Sequence, residues 1–97
     1  MSKVALIADI RIAEAHIAEA KALLADLVAV VVQEPGNEVY VATQSKEDPG
    51  LFRVLEVYSS AAAVEEHKAN KKAREVLAKL IPLMSAPLSF VALDVVA

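Results

Sequence analysis

From Lys3 to Arg11 the side chains alternate, with Val4, Leu6, Ala8 and Ile10 on one face and Ala5, Ile7, Asp9 and Arg11 on the other. Both faces are apolar at the centre, which predicts an interior strand covered on both sides. At Ala13 the period changes. Ala13, Ile17, Ala20, Leu24, Leu27, Val28 and Val31 recur at helical spacing, with Glu14, Glu19 and Asp26 opposite, and predict a helix of about five turns. Its last residues, Val28 to Val32, are rich in β-branched side chains, yet the unbroken 3.6-residue period favours helix over strand. Glu34-Pro35-Gly36-Asn37 ends it, because Pro35 cannot continue a helix and Gly36 can take positive φ at little cost.

Alternation returns from about Glu38 to Gln44, where Val39, Val41 and Thr43 oppose Tyr40 and Ala42. A turn over Ser45 to Gly50 leads into a third strand, Leu51 to Tyr58, so the two read as a hairpin. Ser59 or Ser60 then stands at a helix N-cap position. A short helix is expected from Ala61 to Asn70, followed by an apolar stripe at Ala73, Val76, Leu77, Leu80, Ile81 and Met84. Pro82 and Pro87 punctuate the exit, and Leu88 to Val96 reads as the last strand.

The order βαββαβ predicts a single α+β domain of ferredoxin-like type, with two helices on one face of a four-stranded antiparallel sheet. Two helices cannot cover the other face. Leu51, Leu55 and Val57 nevertheless oppose Phe52 and Val54, and Val91, Leu93 and Val95 oppose Leu88, Phe90 and Ala92, so both faces carry apolar side chains. The simplest cover for the second face is the same face of another copy, in a sheet-to-sheet homodimer.

Composition sharpens that expectation. At 57% hydrophobic residues, the chain exceeds the roughly 45–50% of ordinary soluble domains. No apolar run approaches the ~18–20 residues that span a bilayer, so the surplus belongs in a protein interior and no membrane partner is expected. A net charge of −3 argues against non-specific nucleic-acid binding, which uses a basic surface to displace phosphate counterions. There is no cysteine, hence no disulfide, thiol nucleophile or thiolate metal site. The sequence Met1 to Ile12 lacks the apolar core and small-residue cleavage site of a signal peptide, which together with the missing cysteine leads us to expect a cytoplasmic protein.

The chemistry-bearing residues concentrate between Leu51 and Asn70. Glu56 lies mid-strand among apolar neighbours and points the same way as Val54 and Tyr58, so it must be paired, hydrogen-bonded or raised in pKa. A buried pair with Arg11, Arg53 or a backbone donor is one expectation, and a role in catalysis is the other. His67 can exchange a proton near neutral pH, and its helical position puts it at the border of core and solvent. Tyr58 offers a hydroxyl at the strand end, and Asn70 is either an orienting hydrogen-bonder or a helix terminator. His16 reads as a solvated helix residue. Lys68, Lys71, Lys72 and Arg74 form a cationic cluster, either a solvated face balanced by Glu65, Glu66 and Glu75 or a receiver for an acidic group. No glycine-rich phosphate loop is present, and two histidines 51 positions apart make a poor metal site.

Several of these residues, taken in order, resemble a known family. Glu34-Pro35-Gly36 followed by Tyr40, then Phe52, Glu56-Val57-Tyr58, Ala62-Ala63 and His67, with Ala86-Pro87 before the last strand, is similar to the antibiotic-biosynthesis monooxygenases. The resemblance implies a dimeric α+β barrel of ferredoxin-like subunits and oxygenation of quinol-type or polycyclic aromatics without metal or flavin. On that reading His67 is the catalytic base, Tyr58 and Asn70 hold substrate oxygens, Glu56 orients a partner, and Phe52, Phe90, Val54 and Leu80 line a pocket between helices and sheet. No cofactor is expected, and the partners are a small substrate, O2 and a second copy of the chain. With only four aromatic residues to stack on, a small substrate is favoured. Two other readings use the same residues: an isomerase or lyase of a small phosphorylated hydroxy-carbonyl compound, with the lysines receiving phosphate, and a non-catalytic dimeric binding or stress protein.

Overall fold

The computed structural model describes residues 2–97. Its elements are β1 (Val4–Arg11), α1 (Ile17–Val31), β2 (Asn37–Gln44), β3 (Leu51–Tyr58), α2 (Ala61–Lys68), α3 (Lys71–Leu80) and β4 (Ser89–Asp94), with single 3-10 turns at Glu14–His16 and Ile81–Leu83. The strands form one antiparallel sheet in the order β2-β3-β1-β4, the α+β ferredoxin-like arrangement read from the sequence. Ala8 faces Val54 on one side and Phe90 on the other, so β1 and β3 hold the centre and β2 and β4 the edges.

The even positions of β1 and β3 face the helices. Ala8, Ile10, Phe52, Val54 and Tyr40 pack against Ala20, Leu24, Leu27 and Val31 of α1 and against Ala73 and Leu80 of α3. This packing decides the fate of the valine-rich end of α1. Helix propensity disfavours valine by no more than ~0.7 kcal/mol per residue, whereas a fully buried aliphatic side chain contributes roughly 1.5–3 kcal/mol. Leu27 and Val31 are buried only if the helix continues to Val31, as it does.

Element ends differ from the sequence reading in instructive ways. The first turn after β1 is 3-10 rather than α because Ala13 is extended (φ −61°, ψ 140°) and offers no side-chain cap. The helix expected to run to Asn70 stops at Lys68, because Asn70 instead caps α3, accepting a hydrogen bond from the Ala73 amide (3.2 Å). The freedom of Gly36 to take positive φ is not used: no described residue has a positive φ. Glycine is needed there for space, since a Cβ at Gly36 would overlap the Cβ of Ala63 on α2.

The odd positions of the strands form the opposite face. Ile7, Leu55, Val41 and Val91 are neighbours there, and Val39, Val41, Leu55, Val91 and Leu93 are all exposed. The Arg53 guanidinium grips Asp9 through two hydrogen bonds, 2.6 and 3.0 Å, within this face. Among the described residues no helix is long and apolar enough to cross a membrane.

Candidate active site

Four segments converge at one end of the helix-covered face. The loop between α1 and β2 turns through Glu34 to Asn37, closed by the Asn37 amide donating to the Glu34 carbonyl (3.1 Å), with Pro35 at the position whose fixed φ suits such a turn. Gly36 lets this loop rest directly on Ala63 of α2, and its carbonyl accepts the Ser59 amide (2.9 Å). Ser60 caps α2 by accepting from the Ala63 amide (3.1 Å), which sets the axis carrying His67. The loop therefore delivers Glu34 to His67.

Both oxygens of Glu34 reach His67 Nδ1, at 3.1 and 3.0 Å. The Asn70 amide nitrogen donates to Glu34 Oε2 at 2.7 Å. Both side chains are mostly out of water, 18% exposed for His67 and 13% for Glu34. A carboxylate only accepts, so this contact assigns a proton to Nδ1, and the tautomer it selects for a neutral imidazole carries the lone pair on Nε2. Nε2 looks toward Glu56, whose Oε1 is 3.8 Å away, too far for a hydrogen bond.

Glu56 is only 6% exposed, and its Oε1 accepts the Tyr58 hydroxyl at 2.7 Å. Residues two apart on a strand share a face, which makes this bond possible. Burial raises the Glu56 carboxyl above its ordinary range; the Tyr58 bond and His67 oppose the shift, and Glu34 adds to it. Burial also raises Tyr58, reinforced by the bond to Glu56, and raises Tyr40, reinforced by the charges of Glu56 and Glu34. The imidazole lies near both phenol rings, with centroid distances of 5.1 Å to Tyr58 and 6.0 Å to Tyr40.

A cavity of about 580 Å³ opens beside this cluster, within the range that holds small organic ligands. Glu56, His67 and Tyr40 supply its buried polar end, while Leu6, Ala8, Val54, Leu77 and Phe90 supply apolar walls. Glu65, Lys68 and Arg74 stand at its exposed rim, with Lys68 paired to Glu65 at 3.1 Å. Among the described residues no three His, Cys, Asp or Glu side chains are grouped as metal ligands.

Of the residues singled out in the sequence, His67, Glu56 and Phe90 border the cavity, and Val54 joins its wall. Tyr58 is fully buried behind Glu56, and its hydroxyl is committed to that carboxyl. Asn70 caps the next helix and donates to Glu34, and it is not among the residues that line the cavity. Phe52 lies elsewhere, in a second depression of about 530 Å³ between α1 and β2, and Leu80 is sealed in the core. The expected pairing of Glu56 with Arg11 or Arg53 does not occur. Arg11 pairs with Asp48 and Arg53 with Asp9, because odd strand positions point to the opposite face.

Two residues of the cluster were not read as part of a site in the sequence. Tyr40 pairs with Glu56 across β2 and β3, a register that the hairpin turn over Ser45 to Gly50 encodes. Glu34 carried no comparable signal, because its placement depends on the close approach of Gly36 to Ala63.

The whole chain finds counterparts among known proteins. The family model described as antibiotic biosynthesis monooxygenase matches residues 3–79. A candidate antibiotic biosynthesis monooxygenase from Caulobacter crescentus is 31% identical, with 99% of this chain and 92% of that one covered at a TM-score of 0.93. A protein from Pseudomonas aeruginosa is 26% identical, with 100% and 97% covered at a TM-score of 0.90. A third, from Mycobacterium tuberculosis, is 24% identical over 99% and 97% of the two chains, with a TM-score of 0.91. No curated protein matches. The matched span, taken with the fold and the cavity beneath α2 and α3, establishes that this chain belongs to the antibiotic biosynthesis monooxygenase family.

Proposed function

We propose that the protein is a cofactor-independent monooxygenase acting on a small phenolic or quinol-type substrate. The observation that carries this reading is His67: Glu34 holds its Nδ1, so that the neutral imidazole presents Nε2 as an acceptor beside the cavity. A base of this kind near neutral pH contributes typically 10²–10⁴-fold to a proton transfer. The substrate ring lies against Leu6, Leu77 and Phe90 with its hydroxyl at Nε2. His67 takes the hydroxyl proton, and the electron-rich anion passes one electron to O2, giving a substrate radical and superoxide. These combine by forming a carbon–oxygen bond. The peroxide then loses its O–O bond as His67 returns the proton: one oxygen stays as a carbonyl, and the other leaves as water with two substrate hydrogens. The apolar walls keep solvent from the anion and the radical pair.

The rim cations Lys68 and Arg74 favour a second reading, proton shuttling by His67 in an isomerase of a small phosphorylated hydroxy-carbonyl compound. Oxygen uptake with a panel of quinols and anthrones decides between them. The native protein should consume O2 on at least one member, and His67→Ala should lower the rate by about 100-fold or more. Absence of uptake on every substrate, with carbon-bound proton exchange in a phosphorylated ketose that His67→Ala abolishes, would overturn the oxygenase in favour of the isomerase.

A further inference from the structure

Two carboxyl groups face a single imidazole in this site, and they are served unequally. Glu34 receives the His67 Nδ1–H at both oxygens and the Asn70 amide at one, a set of donors suited to an anion. Glu56 receives one neutral phenol hydroxyl, on Oε1 alone. No buried side-chain oxygen of the described residues lacks a partner while shut away from solvent space, and Glu56 borders the cavity, so its second oxygen is turned to that space. Among the described residues no lysine or arginine pairs with Glu56: Arg11 and Arg53 are engaged on the opposite face, and Lys68 is held by Glu65 at the rim.

Arg74 stands at the exposed rim, and the positive charge that can form beside Glu56 within the cluster is that of His67. With Nε2 3.8 Å from Glu56 Oε1, a proton on that nitrogen would make no hydrogen bond to Glu56, and it would leave two carboxylates and an imidazolium in a mostly buried cluster. Moving that same proton to Glu56 keeps the total charge of the cluster, removes the second buried anion, and frees the Nε2 lone pair. We infer that Glu56 stands in the resting site as a neutral carboxylic acid, with its proton on Oε2, and that this O–H is the hydrogen-bond donor for the oxygen of the substrate that His67 deprotonates. Burial, the largest influence, and Glu34 raise the Glu56 carboxyl while the Tyr58 bond and His67 lower it, and the net direction is upward, in the sense of this assignment.

The arrangement divides labour within one contact. The substrate hydroxyl sits between Nε2, which accepts its proton, and the Glu56 acid, which donates to the same oxygen as negative charge develops there. Every other group facing Glu56 is compatible. Tyr58 on β3 and Tyr40 on β2 are held in their phenol forms by burial, β1 and β4 present Leu6, Ala8 and Phe90, and Glu65, Lys68 and Arg74 lie at the exposed rim. The donor role rests on the oxygenase reading; the protonation state does not.

Infrared spectroscopy of the intact protein at pH 7 tests both parts. A protonated-carboxyl C=O band should be present, shift in D2O and vanish in Glu56→Gln; carboxyl 13C NMR of the native chain makes the same assignment if that variant does not fold. The band should move to lower wavenumber on addition of 1-naphthol or 1,4-dihydroxynaphthalene, and 15N NMR should show His67 Nε2 unprotonated. Affinity for these phenols should fall at least threefold as pH rises through the ionisation of Glu56, a loss that Glu56→Gln should not show. A fully ionised Glu56 at pH 7 overturns the proposal whether or not oxygen is consumed. A band that neither phenol perturbs overturns the donor role, and absence of oxygen uptake with the band present and perturbed counts against the oxygenase reading alone.

Discussion

At the scale of single residues, the site is a set of polar side chains whose ordinary hydration has been replaced by each other. Glu56 is the clearest case, because its carboxyl is buried on a strand otherwise occupied by Phe52, Val54 and Tyr58 on the same face. A carboxyl whose pKa is raised on folding stabilises the native state fully below its unfolded value. That contribution is lost as pH rises through the folded value. Glu56→Gln has no proton to lose. Chemical denaturation from pH 4 to pH 8 should therefore show the variant gaining stability relative to the native chain as pH increases; a difference that stays flat would mean that Glu56 ionises alike in folded and unfolded chains. Asp9 works in the opposite sense. Its hydrogen bonds to Arg53 lower its pKa, and its partly exposed position leaves little of that effect after solvent screening.

At the scale of elements, two helix starts are capped in the same manner and differ only in what else the capping side chain does. Ser60 accepts from the Ala63 amide, and Asn70 accepts from the Ala73 amide while donating to Glu34. Replacing either by alanine should cost about 1 kcal/mol of stability through the lost cap. Only Asn70→Ala should also disturb the hold of Glu34 on His67, visible as a changed His67 15N spectrum and slower oxygen uptake. Equal effects of the two variants on His67 would show that the Asn70–Glu34 bond is incidental. The elements themselves were legible because period 2 and period 3.6 are written plainly into β1, α1, β3 and α3. β3 ends where the sequence places it, at Leu51 and Tyr58. Glu56 stood out in the sequence as a polar residue on an otherwise apolar strand face, and His67 as a group able to exchange a proton near neutral pH at the border of core and solvent. Glu34 was not, because a loop has no period, and what places this one is a missing Cβ at Gly36. The choice between Arg53 and Tyr58 as partner of Glu56 could have been made from alternation alone.

At the scale of the whole molecule, one layer of helices on one sheet leaves a slab 42 × 28 × 19 Å with an apolar open face. A compact monomer of 10.3 kDa is expected to expose about 5,400 Å². This chain exposes 6109 Å², and the excess is comparable to the roughly 800 Å² that each partner buries in an ordinary stable interface. Val39, Val41, Leu55, Val91 and Leu93 supply much of that open surface. They alternate with the residues that line the core and the cavity, so the face that would meet a second copy is the back of the sheet carrying the site. We propose that two chains associate through this face. Phe90, 65% exposed at the cavity wall, lies on the other side and should remain open to substrate. Sedimentation at micromolar concentration should give about twice 10.3 kDa for the native chain. Leu55→Asp, which places a charge opposite Ile7 and Val41 at the centre of the face, should give the single-chain mass. If the native chain sediments as a monomer, the second apolar face has another use; if Leu55→Asp remains dimeric, the contact lies elsewhere. Because Glu56 and His67 lie on the opposite face from Leu55, a folded monomeric variant should still bind phenols, and that separates the assembly of the protein from the chemistry of its cavity.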